Sequence, residues 1–414
     1  NAQTAKDPFQ KLINDFEKEY IPLNIPALEL SYVNNLKNIN SLEELRDQKR
    51  FFLKNKKLLE QLSTQNLSEE EQVICQVLSY EIDLNLSRIH LEYKWLAGGY
   101  SIKGTRIYDE PLGKDWYVYF LKKWIDKDLT PDAAYKFGLK ETEHVKLAMA
   151  AIQKSMGMDD KSFKKQLEDN THFLSNNDEI LEKYNALKLK VKNKAKHYFP
   201  YLDKVPPVHI QKGTNKDLAI VPAYYNRNTF YYNFFDHSYD SRDMGWLFLH
   251  EAIPGHHYQR HLTSQRDMPI SNLFRYMSYI EGWGAYIEQY GNELGAYNSP
   301  MDAYAQLQWD LIRSVRVVLD VALNYYGWSD EQAMEFWNKH IADKEDIGKR
   351  EIDRMKRWPA QVITYKYGKH ILDKLKGDKK EPEELKNFHR QVLECGSIPL
   401  SVLQNHIQKN STNL

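Results

Sequence analysis

Apolar positions recur along most of this chain with the period of α-helices, and caps mark where the helices begin. Ser41-Leu42-Glu43-Glu44 has the form of a capping box, with a hydroxyl at the helix start and a carboxylate three residues on. It opens an apolar row of Leu42, Leu45, Phe52, Leu59 and Leu62. Ser68-Glu69-Glu70-Glu71 repeats the device ahead of Ile74, Leu78 and Ile82, so an antiparallel helix pair is predicted. Gly98-Gly99 ends that pattern, and residues 98–115, with Gly104, Pro111 and Gly113, read as a loop. Thr130-Pro131-Asp132 is an N-cap with proline at the first helical position, opening a helix that runs to Met156. A further helix is predicted over 176–198. Residues 1–40, with Pro22 and Pro26, read as a short helix and an extended connection.

The character changes after Pro206-Pro207. Val208-His209-Ile210, Leu218 to Tyr225 and Thr229 to Asn233 are short, β-branched and aromatic, and predict a small antiparallel sheet. Helical spacing returns over 242–264, 271–293 and 300–326, and Ser329-Asp330-Glu331-Gln332 caps another helix. Arg316 and Asp320, at i and i+4, predict an ion pair. Residues 350–357 read as a hinge or a helix start. After Pro359, Gln361 and Tyr365 share a helix face.

The densest chemistry lies in Trp246-Leu247-Phe248-Leu249-His250-Glu251-Ala252-Ile253-Pro254-Gly255-His256-His257. Zinc hydrolases use His-Glu-x-x-His on a helix, two ligands one turn apart with a glutamate base between them. Here the second ligand position holds Pro254, and histidines follow at 256 and 257. On a regular helix His256 would lie about 240° round from His250, and His257 about 20° off its face but roughly 10 Å along the axis. A bulge at Pro254-Gly255 would bring His256 to the ligand position, since proline removes a helix hydrogen bond and glycine permits unusual dihedrals. The competing expectation is a helix that ends at Ile253, followed by a turn and surface histidines. Which of His256 and His257 is the second ligand stays open. Downstream, Glu281 in Tyr279-Ile280-Glu281-Gly282-Trp283-Gly284-Ala285-Tyr286 is placed as the third ligand, and Glu288, two turns on, as the partner that orients a histidine. A tyrosine beside such a site, Tyr365, can donate to an oxyanion. Arg354, Arg357 or Lys366 could hold a substrate carboxylate.

Composition adds little. Lys+Arg and Asp+Glu number 57 each, so no net field points to nucleic acid. No apolar run is long enough to span a membrane. The 28 Tyr, 9 Trp and 16 Phe suit either recognition walls or a large helical core. Two cysteines, Cys75 and Cys395, do not decide a redox compartment. A chain that begins at Asn1 fits a mature or trimmed form.

His-Glu-Ala-Ile-Pro-Gly-His-His-Tyr-Gln followed by Glu-Gly-Trp-Gly-Ala-Tyr resembles the bacterial domain of unknown function 885 family. Agreement extends to Arg313 to Asp320, Gly327-Trp328-Ser329, Pro359 to Gly368, Phe388-His389 and Gly396 to Leu400. The resemblance runs from about residue 130 to the C-terminus. Two positions depart from the family pattern, Ala360 in place of glycine and Asn324 in place of histidine. The resemblance implies a zinc-peptidase-like fold related in plan to carboxypeptidase Taq and angiotensin-converting enzyme, and an exported or lipid-anchored, extracytoplasmic protein. It also singles out His389, and it implies a sheet edge beside the metal helix for an extended peptide.

The expectation is therefore a mainly α, zincin-like domain spanning 1–414, with lobes at 1–200 and 201–414, a small antiparallel sheet and a deep groove. Zn²⁺ is expected on His250, His256 and Glu281, with Glu251 as base and Tyr365 at the oxyanion. His257, Glu288, Arg354, Gln361, Lys366 and His389 are expected to support ligands or bind a peptide or small amide substrate. A metal- or peptide-binding protein without turnover, or a metal-dependent amidase or esterase, are the alternatives.

Overall fold

A computed structural model describes residues 3–63, 67–219, 221–235, 238–264, 269–270 and 272–411. Its first half is helical: α1 (Gln3–Tyr20), α2 (Tyr32–Lys37), α3 (Leu42–Gln61), α4 (Glu69–Ala97), α5 (Gly113–Trp124), α6 (Pro131–Ser155), α7 (Asp160–Leu167) and α8 (Asn177–Ala195). Five short strands lie in or border the middle: β1 (Phe173–Leu174), β2 (His209–Lys212), β3 (Ala223–Asn226), β4 (Thr229–Tyr232) and β5 (Tyr239–Asp240). Then come α9 (Met244–Glu251), α10 (His256–Ser264), α11 (Met277–Ile287), α12 (Pro300–Val321), α13 (Asp330–His340), α14 (Glu345–Arg357), α15 (Ile363–Lys376), α16 (Pro382–Glu394) and α17 (Leu400–Ser411). The protein is mainly α, as its periodicity predicts.

The caps sit where the sequence places them. Ser41 and Ser68 each form a reciprocal capping box with the glutamate three residues on, and Thr130 accepts from the Ala133 amide ahead of Pro131. Helices α3 and α4 pack on each other, burying Leu45 and Phe52 against Ile74, Leu78 and Ile82. One contiguous apolar cluster runs from Phe9 to Ile407. The α6–α12 contact joins the two halves, and Gly138 allows it, because a Cβ there would lie 2.8 Å from Val318.

Helix α11 crosses α15 at close range. A Cβ on Gly282 would lie 2.5 Å from the Gly368 Cα, and one on Gly368 would lie 2.1 Å from the Ser278 carbonyl oxygen. Only glycine lets these backbones meet. The crossing brings Tyr365, one turn before Gly368, to the side of Glu281.

The sheet differs in one respect from expectation. β3 and β4 form an antiparallel hairpin, Ala223 opposite Tyr232, but β2 runs parallel to β4, with order β2-β4-β3. The chain leaves β2, crosses to the far edge as β3, and turns back as β4 into the centre, so β4 travels the way β2 does. The hairpin turn puts Arg227 (φ 43) and Asn228 (φ 65) in the left-handed region, as a tight primed turn requires, without the glycine that would have flagged it. β1 and β5 pair over two residues. β3 lies at the sheet edge and packs against α9.

Two local readings are corrected. Residues 350–357 are neither hinge nor helix start but the last turns of α14. Arg316 pairs with Glu351 (3.0 Å) on α14 rather than with Asp320, which instead accepts from the Tyr117 hydroxyl (2.7 Å) and the Ala360 amide (2.9 Å).

That last contact holds Ala360 at φ 69, where a Cβ is strained by about 1–2 kcal/mol. Ala360→Gly is expected to raise stability by about 1 kcal/mol. Urea unfolding would show this as a higher midpoint at constant slope, and a lower midpoint would contradict it.

Candidate metal centre

Helix α9 is apolar on every side. Trp246, Leu247, Phe248 and Leu249 are all buried, so the hydrophobic drive that seats this helix carries His250 inside with it. The last α9 hydrogen bond runs from the Ala252 amide to Phe248. Residues 252–255 are not helical, the Ile253–Pro254 bond is cis, and α10 begins at His256. The Pro254 carbonyl is held by the Trp283 indole N–H at 2.8 Å. Gly255 acts through close approach rather than unusual dihedrals: a Cβ there would lie 2.0 Å from the His250 carbonyl oxygen.

This break, wider than a bulge, brings His256 beside His250, with ring centroids 4.7 Å apart and nearly perpendicular. Glu281 Oε2 of α11 lies 3.6 Å from His250 Nε2 and 3.3 Å from His256 Nε2. Ligand bonds of 2.0–2.1 Å at tetrahedral angles give edges of about 3.3 Å, so the donor set fits a small divalent cation such as zinc. Glu251 stands in the same cluster. Donor atoms of His250, Glu251 and His256 all lie within 4.8 Å of one another, so Glu251 could also serve as a ligand, but Glu281 is the nearer carboxylate.

Glu288, in the 3₁₀ turn that ends α11, accepts from His250 Nδ1 at 2.8 Å and so turns Nε2 toward the cleft. Its other oxygen takes Arg313 (2.7 Å) and Gln306 (3.0 Å) from α12. Glu288 thus touches the histidine it was expected to orient. Arg313 and Gln306 escaped the sequence reading. Gln306 and Arg313 stand seven residues apart on one face of α12, and that spacing was the available signal.

Charge is concentrated here. Burial opposes protonation of His250, yet Glu281, Glu288 and Glu251 outweigh it and push the ring up to about 10. Burial would raise the Glu281 carboxyl, but His256 and His250 overrule it and hold it well below the carboxylate range. Glu251 goes the other way: burial raises it more than the two histidines lower it. A carboxyl so raised, in a cluster that could hold a cation, is the kind of group that exchanges protons.

The cluster opens into a cavity of about 1150 Å³ lined also by Tyr225, Tyr365, Arg354 and Trp309. The Tyr365 ring lies 6.3 Å from that of His250, and the guanidiniums of Arg313 (5.6 Å) and Arg316 (5.5 Å) both lie over it. Burial, then Glu281, raises its hydroxyl, which keeps it a donor.

Four expected residues lie elsewhere. His257 is not at the metal site: it accepts from the Tyr225 hydroxyl (3.1 Å) and donates to the Pro206 carbonyl (2.8 Å), pinning α10 to the sheet. Lys366 is buried on Asp310 (2.8 Å) and Glu141 (3.1 Å), on a different side of α15 from the cleft. His389 is a satisfied core residue stacked on Phe199, bonded to the Tyr198 carbonyl (2.7 Å) and the Tyr286 hydroxyl (2.9 Å). Gln361 precedes α15 and accepts from Arg354 at 2.9 Å, so it positions that arginine and does not line the cavity. Asn324 is buried on the Met355 carbonyl (3.0 Å), so its departure from the family pattern does not touch the cleft.

A family model described as "Bacterial protein of unknown function (DUF885)" matches residues 93–407. No curated protein matches the chain. Two solved structures share the fold. One, described as a "putative lipoprotein" from Colwellia psychrerythraea, superposes with a TM-score of 0.66 at 23% identity, covering 92% of this chain and 69% of its own. The other, a "putative lipoprotein of unknown function" from Shewanella oneidensis, gives 0.58 at 18% identity, covering 88% and 73%.

Two outcomes are expected. Glu288→Gln should weaken zinc binding about 10–100-fold while far-UV circular dichroism stays helical, measured by competition with a fluorescent chelator. Unaltered affinity would remove Glu288 from the support of His250. The second concerns acid stability. Burial lowers His257 to about 4 and His389 to about 3, against roughly 6.5 in the unfolded chain. Between these values the unfolded chain binds more protons, so stability falls as pH drops from about 6.5 to 4. In chelator-treated protein, His389→Gln should flatten that fall, and an unchanged slope of unfolding midpoint against pH would refute it.

Proposed function

The chain belongs to the DUF885 family, and we propose that it is a zinc-dependent peptidase acting on short peptides. The observation that carries this reading is the convergence of His250, His256 and Glu281 at tetrahedral-edge spacings with Glu251 beside them. Zn²⁺ held by those three would polarise the scissile carbonyl and acidify a water. Glu251 takes the proton as the water oxygen bonds to the carbonyl carbon, and returns it to the amine as the C–N bond breaks. Tyr365, protonated and beside the cluster, donates to the oxygen that gains charge.

The surroundings support a peptide as substrate. β3 is an edge strand, and its Ala223, Tyr224 and Tyr225 line the cavity, so an extended backbone can pair there. The relation in plan to carboxypeptidase Taq that the family resemblance implies favours action near a C-terminus. The two lipoprotein-like neighbours support an extracytoplasmic, lipid-anchored location. No helix among the described residues is long and apolar enough to cross a membrane.

Glu251→Gln is expected to keep its zinc, by elemental analysis, and to lose about 10²–10⁴-fold in turnover of a peptide mixture. Turnover equal to wild type would remove Glu251 from the mechanism. Bound zinc with no chelator-sensitive cleavage of any peptide would favour a binding protein. Cleavage confined to amides or esters with both ends blocked would favour an amidase or esterase.

A further inference from the structure

The cleft wall that α12 and α14 contribute carries positive charge that its own carboxylates do not balance. On α14, Arg350, Arg354 and Arg357 stand at i, i+4 and i+7, and all three line the cavity. Arg316 of α12 lines it beside them. Arg316 and Arg354 share one carboxylate, Glu351, at 3.0 and 3.7 Å. Arg313, the next cation along α12, is already committed to Glu288. Asp353 of α14 is 65% exposed and lies 3.3 Å from Lys356, which Asp330 also holds at 2.6 Å. Two guanidiniums on one carboxylate leave about one positive charge over.

Hydrogen-bonding capacity is left over as well. The Arg316 side chain is 5% exposed, and its Nε has no hydrogen-bond partner among the described residues. The Arg354 Nε is likewise buried and unpartnered. A buried donor without an acceptor costs about 1–3 kcal/mol, more when charged, so such groups mark a place where a ligand completes the set. Gln361 takes one Arg354 nitrogen and holds its fork in place.

We propose that Arg316 and Arg354 form a subsite for a carboxylate of the substrate, so that the preferred peptides end in a free α-carboxylate close to the scissile bond. Distance sets how close. The His250 ring is 6.3 Å from Tyr365, and the Arg316 guanidinium is 5.5 Å from that same ring. At no more than about 3.6 Å per residue, a path of at most about 12 Å holds no more than about three residues beyond the scissile carbonyl. The guanidinium fork suits a carboxylate because two parallel N–H donors meet two oxygens. An aspartate or glutamate side chain presents the same chemistry, and the test separates the two sources.

The inference rests on the peptidase reading but is measured without turnover. Zinc-loaded Glu251→Gln protein is titrated calorimetrically with three N-blocked tripeptides: a free acid, its C-terminal amide, and an amide whose last residue is glutamate. The free acid should bind at least about tenfold tighter than its amide, as expected for a charge-assisted pair. Adding Arg354→Gln, or separately Arg316→Lys, should remove most of that ratio. Arg354 is the more exposed of the two, so its variant keeps the test alive if Arg316 variants fold poorly. Equal binding of acid and amide, no binding of either, or a ratio that survives both substitutions would overturn the subsite. Tight binding of the glutamate amide alone would overturn the α-carboxylate assignment in favour of an acidic side chain. A clear acid preference in binding, with no cleavage by the wild-type protein, would retain the subsite and sink the hydrolase.

Discussion

The buried ionic chain His250–Glu288–Arg313 is the interaction on which the rest of the structure depends. All three side chains are at most 6% exposed, and they come from α9, the end of α11 and α12. Removing such charges from water costs several kcal/mol each, and their mutual attraction offsets that only when geometry is good. Removing one member of the set would leave an uncompensated buried charge, which is strongly destabilising. The value of the set lies in orientation: a carboxylate that is itself held by Arg313 and Gln306 cannot swing, so the His250 ring cannot either.

Around that fixed ring the protein builds by close backbone approach. Gly255 lies against the end of α9, and Gly282 meets Gly368 where α11 crosses α15. These contacts leave no room for side chains, and they set the distances between groups contributed by four segments. His256 arrives from the start of α10, Glu281 and Glu288 from α11, and Tyr365 from α15. The same crossing that seats Glu281 also sets Tyr365 against two arginines. The His–Glu cluster, the phenol and the arginine-bearing wall are therefore mechanically one unit.

Tyrosine and histidine in this chain divide by hydrogen-bond supply. His257 and His389 have both ring nitrogens satisfied by the protein and are structural. His256 is different: its Nδ1 is buried without a partner, and its Nε2 faces Glu281. Three histidines close in sequence, or a family-matched Phe-His, look alike until those partners are counted.

Local rules were enough to read much of the fold and the heart of the site. Capping boxes at Ser41, Ser68 and Ser329 depend only on residues three apart, and all three formed. The His-Glu start, the displaced histidine and the Glu281–Glu288 spacing were legible because each is a short-range pattern on one helix or two. Tertiary structure alone decided the partners. Lys366 resembled a cleft cation until Asp310 and Glu141 closed on it, and Arg316 turned from Asp320 to Glu351 on another helix. The parallel pairing of β2 with β4 also depends on a crossover that no strand pattern records. The physical reason is common to all of these: helix and cap formation is governed by neighbours along the chain, whereas the pairing of a buried charge is governed by whichever opposite charge the packed backbones carry to within a few ångströms of it.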